Sequence, residues 1–142
     1  MSIVDISSPT SPSLYKTYSG DNTGAGIAVT GTYGFIKVSS YLFVVDLSST
    51  LLTKLKELSV SGPLYQMQIS GSYLYAANGY NGFSVFDISS PTSPSLAKTL
   101  ATVAEESGNG TQGLYVSGSR AYLADGYNGL AVVDISSPAN PS

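Results

Sequence analysis

Short runs in which aromatic or aliphatic residues alternate with small or polar ones recur along the chain, as in Tyr73-Leu74-Tyr75-Ala76-Ala77 and Phe83-Ser84-Val85-Phe86-Asp87. A period of two sends successive side chains to opposite faces of a β-strand, so these runs predict strands that pack through their faces. Two kinds of punctuation separate them. Asn78-Gly79, Asn81-Gly82 and Asn128-Gly129 are hairpin signals, with both residues expected at positive φ in turns that match strand twist. Short Ser-Gly-Ser pieces mark a second turn. The resulting strands fall at about 25–30, 33–38, 41–46 and 53–60, then 64–69, 73–78, 83–88 and 95–102, then 112–117, 120–125 and 130–135, with an isolated strand at 13–18.

One phrase occurs four times: Ile3-Val4-Asp5-Ile6-Ser7-Ser8-Pro9, Val44-Val45-Asp46-Leu47-Ser48-Ser49-Thr50, Val85-Phe86-Asp87-Ile88-Ser89-Ser90-Pro91 and Val132-Val133-Asp134-Ile135-Ser136-Ser137-Pro138. Its aspartates are spaced by 41, 41 and 47 residues. A period of roughly 40 residues built from short strands is the size of a propeller blade. The expected fold class is therefore all-β, with three four-stranded antiparallel β-propeller blades in one domain over residues 1–142. The units run over about 19–60, 61–102 and 103–142, and strand 13–18 is the outer strand of a preceding unit. Closed propellers need about four to eight blades, so three imply completion by further blades in cis or by a second copy in trans, two chains then giving six. Residues 1–13 duplicate 130–142, so in a ring of two copies the termini compete for one slot.

Charge narrows the function classes. Charged residues make up 11% and the net charge is −3, with the six cations scattered, which fits no nucleic-acid surface. With neither cysteine nor histidine, disulfides, thiol chemistry, Cys/His zinc sites and histidine triads are excluded. No apolar run approaches the roughly 20 residues needed to cross a bilayer, and Met1 leads straight into repeat sequence rather than a signal peptide. The four aspartates read as turn devices rather than calcium ligands. Flanking apolar residues place each in a buried strand, its carboxylate can accept N–H groups just downstream, and each phrase offers one carboxylate only. Glu105 and Glu106 are adjacent, whereas a glycosidase pair comes from separate elements about 5–10 Å apart. Neither Gly108-Asn109-Gly110 nor Gly20 to Gly24 has the lysine and helix of a phosphate loop. No catalytic residue, metal or cofactor is expected.

Assembled, the copies give Leu-x-Val-Ser-Gly-x-x-Ala-Tyr-x-Ala-Asp-Gly-x-x-Gly-Leu-x-Val-Val-Asp-Ile-Ser-x-Pro-x-x-Pro, complete in Leu114 to Pro141, close in Ile69 to Ser95 and looser in Gly26 to Leu58. This pattern resembles the LVIVD repeat family. The resemblance implies a bacterial or archaeal β-propeller, often part of larger surface or secreted proteins, and hence an extracellular or cell-surface location. It transfers no catalytic residues. The first unit departs from the pattern at Lys37 to Tyr41.

In such a blade the turns between second and third strands share a face with the interblade connections. Tyr80, Asn81, Asp125, Tyr127 and Asn128 fall on those turns, and Asn78 beside them. Asp21, Asn22, Glu105 and Glu106 fall on the connections, the last two in the insertion that breaks the period. These are the candidate ligand-binding residues, since function concentrates on loops held by a rigid scaffold. The leading expectation is a non-enzymatic module that binds or scaffolds a protein or glycan partner. The alternative is a carbohydrate-binding module in which the tyrosines stack on sugar and the amides bind hydroxyls, with a hydrolase or lyase behind both.

Overall fold

The computed structural model describes residues 2–17, 24–48, 51–102 and 110–142. Its strands are β1 (Ser2–Asp5), β2 (Ser13–Thr17), β3 (Gly24–Thr30), β4 (Tyr33–Val38), β5 (Tyr41–Asp46), β6 (Thr53–Ser59), β7 (Gln66–Ser70), β8 (Tyr73–Ala77), β9 (Phe83–Asp87), β10 (Ser95–Leu100), β11 (Gly113–Ser117), β12 (Arg120–Ala124) and β13 (Leu130–Asp134). All pairings are antiparallel. β3 to β6 form blade 1, β7 to β10 blade 2 and β11 to β13 blade 3, while β1 and β2 form a two-stranded half-blade. These are the propeller-like blades that the period predicts.

The period-two pattern decides how the blades stack. In blade 2, Leu74, Ala76, Phe86 and Ile88 point one way and pack with Phe35, Leu42 and Val44 of blade 1. The alternate residues Tyr75, Ala77, Phe83 and Val85 point the other way and pack with Leu114, Val116, Ala121, Leu123, Val133 and Ile135 of blade 3. The core is thus distributed in layers between sheets, as in other repeat architectures. Tyr75 and Phe83 stack with ring centroids 5.9 Å apart, and burial first, then the neighbouring Tyr73, pushes the Tyr75 phenol above its ordinary pKa.

Two glutamines on the inner strand of blade 2 add polar ties between blades. Gln66 Oε1 accepts from Leu114 N–H at 2.9 Å, Gln68 Oε1 accepts from Val116 N–H at 2.8 Å, and Gln68 Nε2 donates to the Val116 carbonyl at 3.2 Å. An inner strand has one unpaired backbone edge, and these side chains satisfy part of it. The signal for them was the polar alternation in Gln66-Met67-Gln68-Ile69.

Three expectations are corrected. The Asn-Gly turns are five-residue connections, Asn78–Gly82 and Asp125–Gly129, in which the first residue's N–H donates to the last carbonyl at 2.7 and 2.8 Å. Positive φ falls on Gly79, Gly82, Gly126 and Gly129 alone, so glycine carries the left-handed positions and the asparagines do not. Blade 1 replaces this connection by the two-residue turn Ser39-Ser40 between the paired Val38 and Tyr41, with Ser39 at φ 50°. Leu64 lies outside its predicted strand. It is fully buried at φ 46° and packs in the layer between blades 1 and 2, a tertiary demand that overrides its strand pattern.

Candidate functional site

The repeated aspartate builds the same turn each time. Its Oδ1 accepts the N–H of the serine two residues on, Ser7 to Asp5 at 2.8 Å, Ser48 to Asp46 at 2.7 Å, Ser89 to Asp87 at 2.8 Å and Ser136 to Asp134 at 2.8 Å. Pro9, Pro91 and Pro138 then take the second position of turns closed by Ser11, Ser93 and Asn140 N–H. The intervening residue is tied elsewhere: Leu47, Ile88 and Ile135 donate to Thr32, Ser72 and Ser119, in the turn between first and second strands. The aspartates are not buried, contrary to expectation. Each ends its strand, with Asp46 and Asp87 half-buried and Asp5 and Asp134 exposed, because only their apolar neighbours face the core.

The serine backbone N–H holds the Asp5 and Asp87 carboxyls below their ordinary value of 3.8, and the Ser136 hydroxyl then N–H do so for Asp134, with Arg120 adding last. A lowered folded pKa contributes stability that is complete above the unfolded value and lost as pH falls through the folded one. The urea midpoint should therefore hold steady down to about pH 4 and fall below it. Asp87→Asn should flatten that fall, and an unchanged acid limb in this variant would refute the turn as its source.

Asp125 sits elsewhere, at the head of the blade 3 turn and only 3% exposed. Its Oδ1 accepts from Thr102 Oγ1 at 2.7 Å and Thr111 Oγ1 at 2.5 Å, and its Oδ2 from Asn128 Nδ2 at 3.3 Å. Thr102 and Thr111 flank the period-breaking insertion, which the sequence did not connect to Asp125. Backbone bonds between Gly79 and Thr111, at 2.9 and 3.0 Å, seat the end of that connection on the blade 2 turn. Tyr80 and Tyr127 stand at the turn tips, 59% and 83% exposed, and Asn81 is exposed beside Tyr80. Glu105, Glu106, Asp21 and Asn22 lie outside the described residues.

Lys37 is a buried cation, its ammonium donating to the Ser39 carbonyl and its pKa lowered by burial. Among the described residues no group of three or more acidic side chains gathers that could hold a metal ion, and no helix is long and apolar enough to cross a membrane.

One face of blade 3 exposes apolar side chains. Equal turn lengths make Leu130 the equivalent of Phe83, Val132 of Val85 and Tyr122 of Tyr75. Phe83 and Val85 are fully buried against blade 3, whereas Leu130 is 69% and Val132 49% exposed, with Tyr115 64% exposed two strands away on β11, in line with Tyr122 and Val132. The half-blade shows the complement. Val133 and Ile135 are 4% exposed against blade 2, and their equivalents Val4 and Ile6 are 48% and 69% exposed. At the end of blade 3, Ser142 exchanges two backbone bonds with Asp134, at 2.7 and 3.1 Å, in the position that Ser95 takes opposite Asp87 and Ser13 opposite Asp5. The outer edge of Leu130 to Val133 carries no strand among the described residues.

Comparison with known proteins agrees with this organisation. The family model described as LVIVD repeat matches residues 1–20, 23–51, 56–102 and 108–142. Among solved structures, the chain is similar to the computationally designed Ika8 protein, with a TM-score of 0.63 at 11% identity over 87% of this chain and 37% of that one. It is also similar to a chain from an S. cerevisiae assembly of Dbp5 variant with Nup159, Gle1 variant, IP6 and ADP, with a TM-score of 0.56 at 12% identity over 90% of this chain and 34% of that one. The chain thus spans little more than a third of either, and both likenesses speak for the fold alone. No curated protein matches it.

Proposed function

The chain belongs to the LVIVD repeat family, and from that membership we propose that it is a non-enzymatic β-propeller module, a scaffold whose open blade face takes up further blades of the same repeat. The observation that carries this reading is the exposure of Leu130 and Val132 at the positions where blade 2 buries Phe83 and Val85. An apolar patch of this kind on a monomer marks an interaction surface. Covering what remains exposed of Leu130 and Val132, 69% and 49%, would stabilise the assembly by about 1–2 kcal/mol each. The extracellular or cell-surface location implied by the resemblance belongs to the same proposal, and surface proteolysis of intact cells tests it.

Because Ser142 stands where Ser95 does, a second copy of residues 96–142 appended after it continues the repeat in register. The extended chain should unfold at a higher temperature and protect the amides of Leu130 to Val133 from exchange. An unchanged midpoint and unprotected amides would remove the reading. Light scattering of the unextended chain then separates the sources of the added blade: self-association abolished by Leu130→Glu with Val132→Glu indicates a second copy, and a monomer indicates blades in cis. Turnover in an unbiased hydrolase screen would overturn the non-enzymatic half of the proposal.

A further inference from the structure

Blade 3 and the half-blade are deficient in opposite ways. Blade 3 has three strands, and among the described residues nothing pairs with the outer edge of β13 between Leu130 and Val133. The half-blade has a third strand, β1, and an outer strand, β2, with no inner pair among the described residues. Blade 1 shows the consequence. Ile27 and Val29 on its inner strand correspond to Leu114 and Val116, which are 4% and 7% exposed in the layer against blade 2, yet Ile27 and Val29 are 48% and 54% exposed.

One strand is present twice, Ile3-Val4-Asp5 in β1 and Val132-Val133-Asp134 in β13. The two are held unequally. β13 pairs along its whole length with β12, and Val133 and the following Ile135 are buried against blade 2. β1 pairs with β2 alone, and the equivalent Val4 and Ile6 are exposed. A lone two-stranded hairpin is marginal in water. Where β1 and β13 compete for one place, β13 keeps it.

We infer that a second copy of this chain completes blade 3 by strand exchange: β2 of one copy leaves its own β1 and pairs with β13 of the other, making one four-stranded blade from two chains. This rests on the reading that the open blade face takes up further blades, and it names the partner and the join. The repeat sets the register. β10 places Ser95, Leu96 and Lys98 opposite Asp87, Phe86 and Val85, and β2 places Ser13, Leu14 and Lys16 opposite Asp5, Val4 and Ile3. On β13, Leu14 of the second copy therefore falls opposite Val133 and Lys16 opposite Val132, just beyond the position that Ser142 already holds opposite Asp134. The exchange also brings the blade 3 face onto the exposed Ile27 and Val29 of the second copy. Tyr115 stands at the position of Gln68, which reaches Val116, so it meets Val29, the equivalent of Val116. Two copies joined at both ends give six blades, within the about four to eight of closed propellers, through a heterologous interface that sets one surface against a different one.

The test uses the full chain unaltered, with Ile27→Glu and Val29→Glu, and with Leu130→Glu and Val132→Glu, all four positions being about half exposed or more. Circular dichroism should show both variants folded. Light scattering should give a dimer for the unaltered chain and a monomer for each variant alone. An equimolar mixture of the two variants should regain a dimer through the one intact interface. Because the chain has no cysteine, mild oxidation of a mixture of Lys16→Cys and Val132→Cys chains reads the register directly, since directly opposed strand residues lie within disulfide reach. A disulfide-linked dimer should form, with the amides of Ile3 to Asp5 exchanging faster than in the monomer. A monomeric unaltered chain would overturn the inference while leaving blades in cis to the test of the extended chain. A dimer of either variant alone, a monomeric mixture of folded variants, no cross-link, or undiminished protection of Ile3 to Asp5 in the dimer would overturn it as well.

Discussion

Replacing Phe83 with alanine should lower the stability of the chain by about 3–5 kcal/mol, the range for deleting a fully buried aromatic ring. Phe83 is 0% exposed, stacks on Tyr75 and fills the layer between blades 2 and 3, which is closed on both sides by β-sheet that cannot readily collapse into the space. For a chain of this size the thermal midpoint should fall by about 10 °C. The informative control is Leu130→Ala at the equivalent position of blade 3. With 69% of Leu130 exposed, the substitution should change stability by less than about 0.5 kcal/mol in the isolated chain. Urea unfolding of both variants checks the pair. Equal losses would mean that the face of blade 3 is covered in solution, as the proposed assembly requires; a small loss for Phe83→Ala would contradict the layered core itself.

The second large effect is expected at Gly110, where Gly110→Ala should cost about 2–4 kcal/mol. Its φ is +62°, and an added Cβ would collide with the backbone carbon and oxygen of Gly79. Neither partner is a flexible side chain, so the connection must lift off the blade 2 turn. That movement breaks the paired bonds between Gly79 and Thr111 and withdraws the Thr111 hydroxyl from Asp125. Gly118→Ala isolates the conformational part of the penalty, since φ there is +56° but an added Cβ meets nothing within 4 Å. The loss at Gly110 should exceed that at Gly118 and be accompanied by faster amide exchange at Thr111. Equal losses would show that the close approach to Gly79 contributes nothing.

Much of this architecture was legible because each blade repeats one local code. The alternation in Tyr73 to Ala77 and Phe83 to Asp87 specifies strands, and the Asp-x-Ser-Ser-Pro phrase specifies a turn through a carboxylate and an N–H only two residues apart. Such features depend on neighbours in sequence, so their register survives reading without a structure. The candidate site was less legible. Tyr80, Asn81 and Tyr127 are on exposed turn tips, as loop position implies, but Asp125 and Asn128 point into hydrogen bonds with each other and with Thr102 and Thr111. Thr102 lies 23 residues from Asp125, and no local pattern announces that contact.

The sequence by itself determined the strands, their turns and the number of repeats, because short-range alternation and hydrogen bonding suffice for them. Only the tertiary structure decided which equivalent residues are core and which are surface. Phe83 and Leu130 occupy the same position in the repeat, yet one is buried and the other exposed, because burial depends on whether a neighbouring blade is present. It also decided that Asn78 turns an unpaired oxygen into an interblade layer while Val38 does not. A local pattern places a side chain on a face; the partner sheet, distant in sequence, determines what that face meets.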